Sequence, residues 1–132
     1  MPDQSSFDYA VIRLVPRVER EEFINAGVVL FCRQLRFLSV FIHLDEARLK
    51  ALWPEADAAD FRCRLEAFQR IAAGDPEAGP IAQLSQSERF YWLTATRSTI
   101  IQVSPVHSGL CASPEEALDG LCRRLLAAAT IA

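Results

Sequence analysis

The sequence contains a short charged segment, "PRVEREEF" (Pro16 to Phe23), directly before a long apolar run. Arginine offers two parallel donors to a phosphate or carboxylate, and glutamate can act as a general base. The same residue types also form solvated turns with local ion pairs. The segment therefore has two interpretations, a site that binds anions or transfers protons, and a soluble hairpin turn. Its candidate residues are Arg17, Glu19, Arg20 and Glu22, with Asn25 close behind.

A second segment, "TATRSTIIQVSPVHSGL" (residues 94–110), carries Arg97, Ser104 and His107. A serine and a histidine close in sequence raise the hypothesis of a nucleophile and its base. However, the GxSxG pattern of a nucleophile elbow is absent, and a spacing of three residues does not fix the geometry of the pair. The stretch from Ser104 to Gly109 is typical of a turn that leads into the last helix. A ligand-binding or loop-fixing role for His107 is the alternative.

A third segment, "ERFYWL", places Arg89 beside three successive aromatic residues. Aromatic rings together with arginine can stack a nucleotide base. The same residues also commonly fill a core or an interface. Both interpretations stay open for Arg89.

Sequence patterns for common cofactors and metals are lacking. Walker A, GxGxxG, HExxH and EF-hand patterns do not occur, so no cofactor is predicted. The four cysteines are too far apart in sequence for paired CxxC zinc or redox motifs, and we expect buried free thiols and no metal site. They are Cys32, Cys63, Cys111 and Cys122.

Length and composition indicate one ordinary globular domain over residues 1–132. Apolar residues make up 51% and charged residues 23%, close to the averages for soluble proteins. The net charge is -3, and the thirteen arginines and one lysine are spread along the chain, which argues against a nucleic-acid surface. No leader pattern and no apolar run of membrane-spanning length is found, so a cytoplasmic protein without a membrane segment is expected.

Strand patterns dominate the first third of the chain. Phe7 to Val15, Phe23 to Arg33 and Phe37 to Leu44 are rich in β-branched and aromatic residues. The last two are separated by three residues, which predicts an antiparallel hairpin. Apolar residues occupy both faces, so we expect both faces of the sheet to be covered. Within these strands Arg13, Asn25 and His43 are polar exceptions that must find partners or reach an edge.

Helix signals dominate the rest of the chain. We predict helices from Asp45 to about Trp53, from Asp57 to Ala73, from Ser85 to about Leu93, and after Ser113, each begun by a capping residue. A fourth strand is predicted at Thr99 to Val103. Strands followed mostly by helices indicate an α+β domain. Its expected architecture is an antiparallel sheet of about four strands, beginning with a β-meander, packed by three to four helices.

Two long segments, residues 9–31 and 89–110, together resemble a bacterial family called domain of unknown function 3037. The motifs VPRVER, EF-N-GV and SPVH-GL carry the similarity, which extends over most of the chain. Ala26 stands where the family typically has valine. The resemblance implies a small bacterial protein of a family with no assigned activity, associated with neighbouring genes for HipA-like kinases. It therefore implies a kinase-like protein partner, and no catalytic residue is carried over from it.

The leading hypothesis is a protein-interaction or regulatory module that uses a polar patch formed by residues 17–25 and 97–107. The alternative is an enzyme or a ligand-binding domain for an anionic small molecule that bears a phosphate or nucleotide. In that case arginines would hold the phosphate, and carboxylates or a histidine would transfer protons; the residues are Arg17, Arg20, Arg89, Arg97, Glu19, Glu22 and His107. A third hypothesis is a homodimer formed through an exposed strand edge or exposed aromatics.

Overall fold

The computed structural model describes residues 3–126, which form five strands and four α-helices. The strands are β1 (Ser5–Leu14), β2 (Ile24–Cys32), β3 (Phe37–Ile42), β4 (Ile101–Val103) and β5 (His107–Cys111). The helices are α1 (Glu46–Leu52), α2 (Ala58–Ala73), α3 (Gln86–Leu93) and α4 (Pro114–Leu125). The expected domain over residues 1–132 extends at both ends beyond the described residues.

The sheet is antiparallel, with the order β3-β2-β1-β4, and β5 pairs with β1. Strands β1, β2 and β3 are successive neighbours, which confirms the predicted meander and the α+β class. The far side of β1 is shared by two short strands, because β4 pairs with its second half and β5 with its first half. None of the described helices is both long and apolar enough to cross a membrane.

Both faces of the sheet are covered, as the apolar pattern predicts. One core lies between the sheet and the helices α1, α2 and α3, and includes Ile12, Val29 and Phe61. The other lies between the sheet and α4, and includes Val28 and Leu121. Since successive side chains of a strand point to opposite faces, β1 and β2 contribute to both cores.

A bulge in β2 changes which residues face α4. Ile12 is opposite Gly27, whereas the next residue, Arg13, is opposite Asn25, so Ala26 is an extra residue. A Cβ on Gly27 would lie 2.8 Å from the carbonyl oxygen of Phe41, which explains why glycine occupies this position. The bulge at Ala26 and the close approach of the β3 backbone to Gly27 are thus adjacent in β2.

The predicted helix starts are confirmed. The side chains of Asp45, Asp57 and Ser113 each accept a hydrogen bond from a backbone N–H in the first turn of α1, α2 and α4. Ser85 and Glu88 form the predicted capping box of α3. These caps satisfy N–H groups that have no partner inside the helix.

One prediction is wrong. Residues 107–109 are not a turn into the last helix, because they belong to β5, which pairs with β1 from Tyr9 to Ser5. Gly109 lies against Phe7, and a Cβ there would be 2.7 Å from the phenyl Cζ atom. A glycine and a serine-rich composition concealed a strand whose pairing partner lies about a hundred residues away in sequence.

Candidate functional site

Ser104 joins β4 to β5. Between Ile12 and Tyr9, β1 advances three residues while the opposite strands advance four, from Val103 to His107, so one residue is extra. The Ser104 N–H donates to the Val11 carbonyl (2.9 Å), and the Val11 N–H donates to Ser104 Oγ (2.8 Å). In a regular ladder that second donor would bond to the backbone carbonyl of Ser104. The buried hydroxyl therefore replaces a backbone acceptor at the bulge.

The geometry gives no support to Ser104 and His107 as a nucleophile and its base. Besides accepting from Val11, Ser104 Oγ donates to the Pro105 carbonyl (2.9 Å). The imidazole of His107 is exposed on β5, and its ring centroid lies 5.3 Å from that of Tyr9. The hydroxyl thus serves the backbone, and the imidazole rests on a tyrosine ring.

Arg89 and Arg97 each bind the carboxyl end of a helix. Arg89 donates to the carbonyls of Ile71 and Ala72 at the end of α2, at 3.2 and 2.7 Å. Arg97 donates to the last carbonyls of α3, including Trp92 (2.7 Å) and Leu93 (2.9 Å), and to Ala95 (3.0 Å). Cations are favourable at these ends because the last carbonyls lack partners and carry partial negative charge.

Arg97 is also partly desolvated. Its guanidinium carbon lies 4.7 Å from the ring centroid of Trp92 and 5.0 Å from that of Phe68. Burial lowers the pKa of Arg97 below its usual value. The arginine that lies over aromatic rings is thus Arg97, whereas the sequence hypothesis concerned Arg89, which binds the end of α2.

Asn25 has a similar role at the end of α4. Its side-chain amide donates to the carbonyl of Leu125 at 3.1 Å. Because Asn25 lies opposite Arg13 in the sheet, α4 ends beside a polar row that crosses β2, β1 and β4. The row consists of Asn25, Arg13 and Gln102.

The charged turn between β1 and β2 holds two exposed ion pairs. Arg17 contacts Glu19 at 3.1 Å, and Arg20 contacts Glu22 at 2.6 Å. A backbone hydrogen bond, followed by Arg17, lowers the pKa of Glu19, and the Arg20 hydrogen bond lowers that of Glu22. Exposed pairs of this kind contribute little to stability. The predicted solvated turn with local ion pairs is present.

Beside this turn lies an open cleft of about 550 Å³. Residues of the turn and residues after α3 line it together, so the two candidate segments meet here in part. Of the predicted candidates, only Glu19 and Arg97 are in the lining. The complete lining is Arg13, Val15, Val18, Glu19, Glu21, Phe23, Arg97, Ser98 and Gln102.

Arg13 is the cleft residue that sequence reasoning left out of the candidates. Its guanidinium carbon lies 4.3 Å from the ring centroid of Phe23, and its buried Nε has no hydrogen-bond partner among the described residues. The signal was present in the sequence, because an arginine in an otherwise apolar strand must find a partner. Glu21, Phe23, Ser98 and Gln102 gave no comparable signal.

A second feature is β5 with the residue directly before it, where two large apolar side chains are exposed. Leu110 is 66% exposed and Val106 is 45% exposed. Ser108, between them, donates to Asp8 Oδ1 at 2.7 Å across the strand pair. No other strand within residues 3–126 pairs with the outer edge of β5.

The thiols have structural positions. Cys32, Cys111 and Cys122 are buried, and Cys63 is exposed on α2. Burial raises the pKa of Cys122 to about 11 and also raises that of Cys111. Within the described part of the chain, no group of three or more His, Cys, Asp or Glu residues could hold a metal ion.

Comparison with known proteins gives one match. No curated protein and no solved structure matches the chain. A family model described as "Protein of unknown function (DUF3037)" matches residues 9–126, a range that includes both charged segments, the cleft and β5. The chain therefore belongs to the DUF3037 family.

Proposed function

We propose that this chain is a protein-interaction module of a regulatory kind, which binds its partner along the open edge formed by β5. One observation carries the proposal. The SPVH-GL segment, on which part of the family resemblance rests, forms an edge strand with one exposed apolar side chain, Leu110, and a second, Val106, directly before it.

The backbone of β5 offers hydrogen-bonding groups outward. Ser104 exchanges a hydrogen bond with Val11, so the odd-numbered residues of β1 turn their backbone groups to this side. Pairing with Tyr9, Phe7 and Ser5 occupies the groups of every second residue of β5. The N–H and C=O groups of Ser108 and Leu110 consequently point away from the sheet, where an extended partner segment can bond to them.

The side chains of this edge favour association. Leu110 in β5 and Val106 directly before it are both exposed apolar side chains. Proteins usually protect an open edge with lysine, proline, an inward charge or a bulge. A bulge and Pro105 lie just before β5, but the residues from His107 to Cys111 include none of these devices. An exposed apolar pair beside free backbone groups is typical of strand addition.

The structure of the candidate residues also supports binding without catalysis. Arg89, Arg97 and Asn25 bind helix ends, and Ser104 binds the β1 backbone. These polar groups are therefore committed to the fold. The remaining exposed groups, the outward backbone groups of β5 and the apolar side chains beside them, are suited to recognition of another protein.

The family resemblance suggests a HipA-like kinase as the partner. The two proteins would meet in the cytoplasm of a bacterium. A second copy of this chain is the other candidate, because two β5 edges can pair with each other. Both partners would use the same edge, so one set of variants addresses both.

The test replaces an edge residue and a matched surface residue. Leu110→Lys should abolish binding to a purified HipA-like kinase, as measured by titration calorimetry. Leu35→Lys, at a leucine 50% exposed in the β2–β3 turn, should leave binding unchanged. Light scattering over a range of concentrations reports the homodimer in the same variants. Failure of wild type to bind either partner, or equal effects of both variants, would refute docking at β5.

A second candidate function is binding of a small molecule that carries an anionic group, and the cleft favours it. Arg13 lines this cleft with a buried Nε that no described residue satisfies, and both charged segments contribute to the walls. His107 does not line it, so proton transfer by that imidazole has no place in this version of the proposal. Thermal-shift measurements with small anions test it, and no shift with any anion would count against it.

A further inference from the structure

We infer that the cleft binds a free α-amino acid with an apolar or aromatic side chain. Its carboxylate would contact Arg13, and its ammonium group would contact Glu21. The inference rests on the second candidate function, because it names the ligand class of that cleft. It is independent of partner docking at β5.

Arg13 is positioned as the carboxylate site. It lies on β1 between Asn25 and Gln102 on the face that α4 covers, but α4 ends where its Leu125 carbonyl meets Asn25. None of the described ion pairs includes Arg13. A partly buried guanidinium without a counter-ion is costly, and a bound carboxylate would relieve that cost.

Arg13 contacts an aromatic ring. Its guanidinium carbon lies over the Phe23 ring, 4.3 Å from the ring centroid. A cation over a ring interacts with the π electrons and needs no N–H donor for that contact. A carboxylate can therefore accept hydrogen bonds from the guanidinium while the contact with Phe23 is kept.

The charges of the cleft select against a phosphate ligand. Arg97 is the second arginine in the lining, but its terminal nitrogens already donate to three backbone carbonyls. The lining contains two guanidiniums, those of Arg13 and Arg97, and two carboxylates, those of Glu19 and Glu21, so its formal charges balance and leave no excess positive charge for a phosphate dianion. A ligand with one negative and one positive charge matches this arrangement better.

Glu21 is the carboxylate left for a ligand cation. Glu19 is paired with Arg17 at 3.1 Å, whereas no ion pair within residues 3–126 includes Glu21. Glu21 ends the short 3₁₀ turn Val18–Arg20 with a left-handed backbone, with φ of 57°, and its N–H bonds to the Val18 carbonyl. A replacement at this position must therefore tolerate the left-handed conformation.

The remaining wall favours an apolar side chain on the ligand. Phe23 is 46% exposed, and Val18 and Val15 line the same cleft. A volume of about 550 Å³ is within the usual range for small-molecule sites. It accommodates an amino acid of the size of leucine or phenylalanine with room for water.

The test compares ligands that lack one charge at a time. Calorimetry of the full chain should detect binding of L-leucine or L-phenylalanine. N-acetyl-L-phenylalanine lacks the ammonium group and L-phenylalaninamide lacks the carboxylate, so each should bind about 10- to 100-fold more weakly. Equal affinity for the acetylated compound would overturn the inference.

Variants locate the site. Arg13→Met and Glu21→Asn should each weaken amino-acid binding about 10- to 100-fold, and asparagine tolerates the left-handed backbone. Arg33→Met is the control, since that exposed arginine of the β2–β3 turn is outside the cleft lining. If Arg13→Met does not fold, the amino-acid affinity of Glu21→Asn alone tests the site. An unchanged affinity in the folded cleft variants would refute the site.

The outcomes separate this inference from the function on which it rests. Binding of inorganic phosphate or acetate without binding of amino acids would keep the anion site and overturn the amino-acid ligand. Binding of neither class would overturn both. Binding of amino acids weakened by both cleft variants and not by Arg33→Met would establish the inference.

Discussion

At the scale of the residue, Ser104 shows how one hydroxyl holds an irregular edge strand. The bulge between β4 and β5 turns the backbone carbonyl of Ser104 away from its place in the ladder, and the side chain takes over that bond to the Val11 N–H (2.8 Å). The donor is buried, so losing the acceptor would leave it without a partner or water.

Replacing Ser104 with alanine should therefore lower the free energy of unfolding by about 1–3 kcal/mol. Urea unfolding followed by circular dichroism measures the change. Ser108→Ala is the control, because that hydroxyl bonds to Asp8 at the exposed surface and water can replace it. Similar losses in the two variants would show that the bond to Val11 has no special weight.

Residue types alone could not separate structural from functional roles. Arg89, Arg97 and Asn25 have side chains suited to anions, and each proved to bind a backbone carbonyl of this chain. The partner of Asn25 is Leu125, one hundred residues away, so no local pattern could reveal it. Arg13 could have been recognised as a candidate, because its strand neighbours are apolar.

At the scale of the element, helix ends are held by side chains from other segments. Arg89 reaches from α3 to the last turn of α2, where it donates to two carbonyls, and it also bonds to Leu84 (3.0 Å). These bonds carry a full charge and connect two helices, so we expect them to stabilise the fold more than a surface ion pair does.

Arg89→Ala should lower the free energy of unfolding by about 1.5–3 kcal/mol and increase hydrogen exchange in the last turn of α2. Arg64→Ala is a matched control, because it removes an exposed ion pair within α2, between Arg64 and Asp60 at 3.1 Å. That change should stay within about 0.5 kcal/mol. A loss no larger in Arg89→Ala would contradict the proposed role.

Gly109 allows β5 to pair with β1 beside the Phe7 ring. Because an added Cβ would be 2.7 Å from Phe7 Cζ, Gly109→Ala should cost about 1–3 kcal/mol through overpacking. The double variant Phe7→Leu/Gly109→Ala should lose less than the sum of the single losses, with a coupling of at least about 0.5 kcal/mol. Thermal and urea unfolding of wild type, the two single variants and the double variant give the free energies of this double-mutant cycle. If the losses of the single variants simply add, the Phe7 ring does not limit the size of the side chain at residue 109.

The elements were predictable to different degrees. Helix bounds followed from caps that lie next to the helix, such as Asp57 before α2 and Gly74 after it. The first three strands followed from runs of β-branched residues. Strand β5 did not, because Ser104-Pro105 interrupts the edge and its strand character comes from pairing with β1.

At the scale of the whole molecule, β1 and β2 belong to two cores at once. Ile12 and Val29 face α2 and α3, whereas Phe7 and Val28 face α4. The order of the strands could not be read from the sequence, because β1 pairs with segments about a hundred residues away. Since the central strands are shared, neither core can lose its order without affecting the other.

We therefore predict that the described chain unfolds as one cooperative unit. Two probes report the two faces. Trp53 and Trp92 lie on the side of α1 to α3, and their fluorescence follows the first core. Cys32, Cys111 and Cys122 lie in the core beneath α4, and pulse labelling of these thiols at pH 8 follows the second.

The labelling reports unfolding because only the thiolate form of a cysteine reacts with the reagent, and burial in the folded state disfavours that form. Burial raises the pKa of Cys122 to about 11, while an unfolded thiol has a pKa of about 8.5. The experiment uses a Cys63→Ser background, which removes the exposed thiol of α2. Wild type in this background should give the same urea midpoint by both probes.

Leu121→Ala then perturbs only the core beneath α4. Leu121 is buried there, so its truncation should cost about 2–5 kcal/mol. If the sheet couples the two cores, fluorescence and labelling midpoints should fall together, although neither tryptophan contributes to the core beneath α4. Labelling at lower urea than the fluorescence change would instead show that α4 detaches on its own from a sheet that stays folded against α2 and α3.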